Sequence, residues 1–215
     1  MSDDIFDTRY EDKEVEIDDG FVTVGDDINL FEKDGVEKRG VFYDKNGALK
    51  DVGQNHLLQM LALVSMERPK SLDYHEVRKE RARVFKKLEI LLQRNKGVHI
   101  KRAQYKGYLD IENIPSESET ETFFSFTTNI NNHRWKGVPF RLSSGKALSV
   151  SKVDIVINFK DETEGSFLFY FYAHQECNKI TFSIQPEEKI SILFWVRVPG
   201  FKEKIEPREL SFSYE

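Results

Sequence analysis

The sequence predicts an α+β fold: a large, mainly antiparallel β-sheet with helices packed on one face. Three observations predict it. Apolar residues recur at three- and four-residue steps over residues 47–69. A second amphipathic stretch covers about residues 73–93. Eight segments of two-residue period, or short apolar runs, then follow from residue 98 to the end. The 215 residues are enough to enclose one substantial core.

Residues 1–20 hold nine carboxylates against Arg9 and Lys13, with little to bury, and read as an acidic lead-in that frays or waits for a partner. Residues 21–215 form the domain. FVTV and INLF, on either side of Gly25, are strand material interrupted by a turn or bulge. From Gly47 to Pro69 the positions Leu49, Val52, His56, Leu57, Met60, Leu61 and Val64 mark a largely buried helix. The second helix turns Val77, Val84, Phe85, Leu88, Leu91 and Leu92 inward and closes at Gly97. Residues 106–122 form a polar, carboxylate-rich loop. The strands are VHIKRAQY, TFFSFTTNI, PFRLS, KVDIVINF, SFLFYFYA, KITFSIQ, KISILFWVRV and ELSFSYE, with turn signals at Asn178-Lys179, Pro186-Glu187 and Pro199-Gly200. Phe167 to Tyr172 is apolar at both parities, the mark of a strand covered on both faces.

Composition narrows the function classes. A net charge of −5 gives no global field for nucleic acid or an anionic membrane. The basic residues between Arg78 and Lys87 alternate with Glu76, Glu80 and Glu89, as on a solvated helix face. One cysteine, Cys177, allows no internal disulfide and no multi-cysteine zinc site, which points to the cytoplasm, and the histidines lack ligand spacing, so no metal is expected. No signal peptide and no apolar run of spanning length is seen.

Two residues set into the first helix are not demanded by packing. His56 lies among leucine and methionine, and its periodicity turns it toward the interior or a cleft. It is either a hydrogen-bonded core histidine or a general base. Asp51 precedes it by five residues, roughly 140° around an α-helix, so the two would flank a site; alone, Asp51 also reads as a carboxylate near a helix start. Glu32 is either a strand-end charge or a ligand. Ser144-Gly145-Lys146 is no phosphate-binding P-loop, because no glycine stands five residues before Gly145 and Ala147 replaces Ser or Thr.

The stretch Glu32 to Pro69, EKDGVEKRGVFYDKNGALKDVGQNHLLQMLALVSMERP, resembles the hallmark segment of the glucose-6-phosphate dehydrogenase family, where EGRG, YDxxGAxRD, QNHLxQ and AMExP run in this order. His133 to Leu148, HRWKGVPFRLSSGKAL, is similar to the family's ERWxGVPFxLRTGKxL. The resemblance covers about residues 21–215 and implies the family's C-terminal domain. It implies His56 as the base that takes the C1 hydroxyl proton of glucose 6-phosphate, with Glu32, Asp51, Lys146, Lys152 and Gln185 as substrate ligands. It also implies NADP as hydride acceptor and a homodimer formed through the sheet.

The chain departs from the family pattern at several points. Ser143 stands for an arginine, Ser144 for a common threonine and Lys38 for a glycine. Ser151 occupies the place of a second substrate cation, followed by Lys152. The family's glycine-rich nucleotide turn and its DHYLGKE-like segment do not occur. The expectation is therefore a substrate and catalytic-base half that needs a separate NADP-binding chain. The alternatives are a non-enzymatic sugar-phosphate or oligomerisation domain, or an inactive remnant.

Overall fold

The computed structural model describes residues 6–7, 25–89, 100–159, 178–199 and 205–214. The expected FVTV and Phe167–Tyr172 strands, the end of the second helix with Gly97, and Cys177 lie outside them. Ten strands form one sheet among the described residues. They are β1 (Phe6–Asp7), β2 (Asp26–Phe31), β3 (Leu88–Glu89), β4 (Lys101–Tyr105), β5 (Phe123–Ile130), β6 (Pro139–Gly145), β7 (Lys152–Asn158), β8 (Lys179–Gln185), β9 (Lys189–Arg197) and β10 (Ile205–Ser213). The spatial order is β1-β4-β5-β6-β2-β7-β8-β9-β10, with β3 beside β5. Every pairing is antiparallel except β2 with β6, which agrees with the expected class.

Strand alternation sorts the sheet into two faces. Phe126, Leu142, Ile28, Ile155, Phe182, Ile190 and Phe212 stand in register across β5, β6, β2, β7, β8, β9 and β10. Leu142 and Ile28 are fully buried, while Phe212 at the edge is 56% exposed. The helices therefore cover the middle of this row and leave its β10 end open. The opposite face carries a polar row in register, Ser125, Ser143, Asn29, Asp154 and Ser183.

The single helix expected over residues 47–69 is continuous over 47–65, but it does not keep one winding. It follows a 3-10 turn and the short helix α1 (Gly40–Asp44), and its middle is a π-helical segment (Leu49–Leu57) that runs on into α2 (Leu58–Ser65). The Leu58 amide reaches back five residues to the Gly53 carbonyl, the bonding that defines a π-helix. Gly53 lies against the sheet where a Cβ would stand 2.9 Å from the Phe124 ring, so the segment sits closer than any larger residue allows. The π segment packs on β6 and β2, and Leu57, Leu61 and Ala62 are fully buried; each leucine contributes roughly 2 kcal/mol by removal from water. The chain is already extended at Met66, three residues short of Pro69.

The second helix, α3 (Tyr74–Phe85), starts where expected, because the Asp73 carboxylate accepts the His75 and Glu76 amides at 3.0 and 3.2 Å. It ends sooner, giving way at Leu88 to β3, which pairs with β5. The carboxylate-rich loop is pinned to α1: Asp44 accepts from Tyr108 Oη at 2.9 Å and from Ser118, and the Asp44 carbonyl accepts from Thr120 at 2.6 Å.

Candidate functional site

Because β2 and β6 run parallel, their C-terminal ends emerge side by side, with Phe31 opposite Gly145. The pairing continues past both ends: the Glu32 amide donates to the Gly145 carbonyl at 3.0 Å, and the Leu148 amide donates to the Glu32 carbonyl at 2.9 Å. Glu32 and Lys146 thus leave adjacent strands together, and Lys146 Nζ donates to Glu32 Oε2 at 2.6 Å. A cleft of about 260 Å³ opens there, lined by Glu32, Asp34, Lys38, Arg39, Tyr43 and Lys146. The Lys146 ammonium also stands 5.9 Å from the Tyr43 ring centre, within cation–π reach.

Gln185 ends β8 opposite Val153, exposed at the same end of the sheet. Ser151 reaches this end too, its hydroxyl accepting the Lys33 amide at 2.9 Å. Lys152 is different. It pairs in register with Phe31, shares a face with Asp154, donates to that carboxylate at 2.9 Å and lies over the Phe31 ring at 5.4 Å. Asn29 holds the other Asp154 oxygen at 2.9 Å. A one-residue step along a strand reverses the side chain, so Lys152 stands on the polar face away from the helices and does not take over the direction of Ser151.

Asp51 and His56 lie on the π-helical segment. Its winding is looser than that of an α-helix, so five residues bring the two nearer to one side than the 140° that α-helical winding predicts. His56 is exposed rather than turned inward and makes no hydrogen bond or ion pair among the described residues. Asp51 is half-buried. Tyr43, fully buried on α1, feels the charges of both Asp51 and Glu32. Burial first, then the charges of Glu121, Tyr108, Asp51 and Glu32, push its phenol well above the ordinary tyrosine range. The structure therefore brings Glu32, Lys146 and Gln185 to one sheet end, sets Asp51, like Glu32, within electrostatic reach of Tyr43, exposes His56 further along, and turns Lys152 to the polar face.

Part of the second signature is architectural. Arg134 makes a two-pronged bond to Glu67 at 2.9 and 2.8 Å, and the Trp135 indole donates to the Ser65 carbonyl at 2.8 Å, tying this loop to the end of α2. Ser143 is buried against Ser125, with the hydroxyls 2.8 Å apart. Sequence reasoning missed Tyr43, Glu121 and Arg102. Glu121 sits in a run of carboxylates that looks like any solvated loop; its one distinguishing mark is its place directly before an apolar strand.

Two helix starts of the kind that can hold a pyrophosphate are already filled: Asp73 caps α3, and the Glu121 carboxylate accepts the Leu49 amide at the start of the π segment. No described helix is long and apolar enough to cross a membrane.

The profile of the glucose-6-phosphate dehydrogenase C-terminal domain matches residues 26–215. The glucose-6-phosphate 1-dehydrogenase of Chlamydia pneumoniae is 34% identical over 205 residues, which is 87% of this chain and 38% of the relative. The cytoplasmic glucose-6-phosphate 1-dehydrogenase 5 of Arabidopsis thaliana is 38% identical over 187 residues, covering 86% and 35%. A glucose-6-phosphate dehydrogenase solved in complex with its substrate glucose 6-phosphate superposes with a TM-score of 0.76 at 32% identity, over 89% of this chain and 40% of that one. The Mycobacterium avium enzyme gives 0.74 at 31% identity, over 89% and 41%. The chain thus spans about two fifths of the length of these relatives, and it belongs to the glucose-6-phosphate dehydrogenase family, as that family's C-terminal domain.

Proposed function

We propose that this chain is the substrate-binding and proton-abstracting half of a glucose-6-phosphate dehydrogenase of the pentose phosphate pathway, acting in the cytoplasm. The observation that carries the proposal is the arrival of Glu32, Lys146 and Gln185 at one sheet end, with Asp51 in electrostatic reach of Tyr43 and the exposed His56 imidazole on the same helical segment. Glucose 6-phosphate supplies hydroxyls for Glu32, Asp51 and Gln185 and negative charge for Lys146, which exchanges its bond to Glu32 for one to the substrate. Lys152 joins them by giving up its bond to Asp154. His56 accepts the C1 hydroxyl proton as the C1 hydride departs, closing the lactone carbonyl.

NADP, held by a nucleotide-binding chain or domain outside these residues, supplies the hydride acceptor. Donor, acceptor and base must meet at roughly 3–3.5 Å, so that partner docks tightly. The chain also pairs with a second copy of itself through the sheet, a reading supported by the apolar residues Leu210 and Phe212, each more than half exposed on β10.

The test is calorimetric titration of glucose 6-phosphate into the isolated chain and into Lys146→Ala, followed by an NADP-reduction assay of tagged chain recovered from its own cells. Weak binding by the chain alone, lost in the variant, with turnover only in the recovered complex, is the expected result. Absence of binding at millimolar substrate by folded protein sinks the proposal. Binding without turnover in any complex leaves the second reading, a sugar-phosphate-binding domain without catalysis.

A further inference from the structure

We propose that Glu121 is a positioning residue of the site: it fixes the origin of the helical segment that carries Asp51 and His56. Its carboxylate is buried, 6% exposed, at the point where the carboxylate-rich loop enters β5. Oε1 accepts the amide of Leu49, the first residue of the π segment, at 3.0 Å. The Glu121 carbonyl accepts the amide of Ala48, one residue earlier, at 3.0 Å, and the Tyr43 hydroxyl at 3.4 Å. One residue therefore satisfies two backbone donors at a helix start, where donors have no partner within the helix. It places a negative charge where the helix dipole favours one, and it also holds the phenol over which Lys146 lies.

The buried charge is itself neutralised. Oε2 accepts from Arg102 Nη2 at 2.6 Å, as a buried carboxylate requires. Arg102 is in register with Phe124, the residue whose ring meets Gly53 four residues into the segment. The segment is thus held at its start by Glu121 and in its middle by Phe124, both from the β4–β5 side of the sheet. Asp51 lies between these two anchors and His56 three residues beyond the second, so tilt or slippage at Leu49 moves both together. Gly47 completes the fit, because a side chain there would meet the Glu121 carboxylate at 2.5 Å.

This inference rests on the functional reading for the importance of Asp51 and His56, and its test separates the two. Amide hydrogen exchange and the His56 imidazole NMR signals are recorded for wild type, Glu121→Ala and Glu121→Gln, alongside titration with glucose 6-phosphate. Glu121→Ala is expected to speed exchange at Leu49 at least tenfold, to shift the His56 signals and to weaken glucose 6-phosphate binding at least tenfold, while Ala48, whose amide bonds the backbone carbonyl that the substitution keeps, and the amides of β7 and β8 retain their protection. Glu121→Gln keeps an acceptor for Leu49 but turns an amide N–H toward Arg102, so it restores the Leu49 protection, the His56 signals and the binding together and only in part. Unchanged exchange at Leu49 together with unchanged His56 signals overturns the proposal. If the wild-type chain binds no glucose 6-phosphate, the functional reading fails, and the exchange and imidazole signals alone decide the positioning role. Should Glu121→Ala not fold, Arg102→Met, which leaves the carboxylate without its guanidinium, carries the same measurements, with smaller changes in the same direction expected.

Discussion

Lys146 Nζ and Glu32 Oε2 are 2.6 Å apart although the residues are 114 apart in sequence, because a parallel strand pair delivers both to one sheet end. Lys146 is mostly shielded and Glu32 over a third exposed; a pair this open contributes less than about 1 kcal/mol to folding. Lys146→Ala is therefore expected to leave the urea midpoint nearly unchanged. Loss of a charged hydrogen bond to the ligand costs about 1.5–3 kcal/mol, so calorimetry is expected to show at least tenfold weaker glucose 6-phosphate binding.

His56→Ala separates chemistry from binding. The imidazole is exposed and makes no hydrogen bond among the described residues, so its removal is expected to change stability by less than about 0.5 kcal/mol. In the complex that reduces NADP, loss of a general base lowers kcat by about 10²–10⁴, with substrate affinity altered only a few-fold. A kcat within tenfold of wild type contradicts the assignment.

Gly47 has a φ of +69° and lies against the Glu121 carboxylate. Gly47→Ala combines left-handed strain of roughly 1–2 kcal/mol with a collision. A loss of at least about 2 kcal/mol in chemical denaturation is expected, and an unchanged midpoint contradicts the described turn.

Asp26, at the opposite end of β2, is pushed up to about 6, by burial chiefly, against the Asn158 amide that lowers it. The folded state then holds a proton that the unfolded chain, with its ordinary value of 3.8, has released. Stability from this group is full below about pH 4 and falls as pH rises through 6. Asp26→Asn is expected to be more stable than wild type by about 1–2 kcal/mol at pH 7, with the difference vanishing near pH 4. Parallel denaturation curves across that range check the sign.

Strands β5 to β9 were legible because a half-buried strand writes its two faces into alternate residues, as in Phe124, Phe126 and Thr128. The start of α3 was legible from Asp73. The π winding was not, since Leu49, Val52, His56 and Leu57 satisfy an α-helical period equally well, and the close seat of Gly53 on Phe124 is a tertiary contact. The exposure of His56 follows from that winding and was missed with it. Glu32 and Lys146 were found through motif resemblance, but their ion pair depends on β2 lying beside β6, which no local pattern encodes. The face of Lys152 was recoverable from strand parity alone.

The position of β2 also dictates an order of assembly. Among the described strands, β6 and β7 touch only through β2, so the sheet is two antiparallel groups joined by the earliest of its long strands. Arg141, which grips Asp27 from β6, follows it by 114 residues. At synthesis rates of about 5–20 residues per second, β2 waits on the order of 6–20 s for its first neighbour. During that interval Ile28, Leu30 and Phe31 have no strand to pair with, and the nascent chain depends on its helices, or on a chaperone, to shelter them. Pairing β2 with β6 closes a 114-residue separation, the kind of long-range contact that makes a sheet slow to complete.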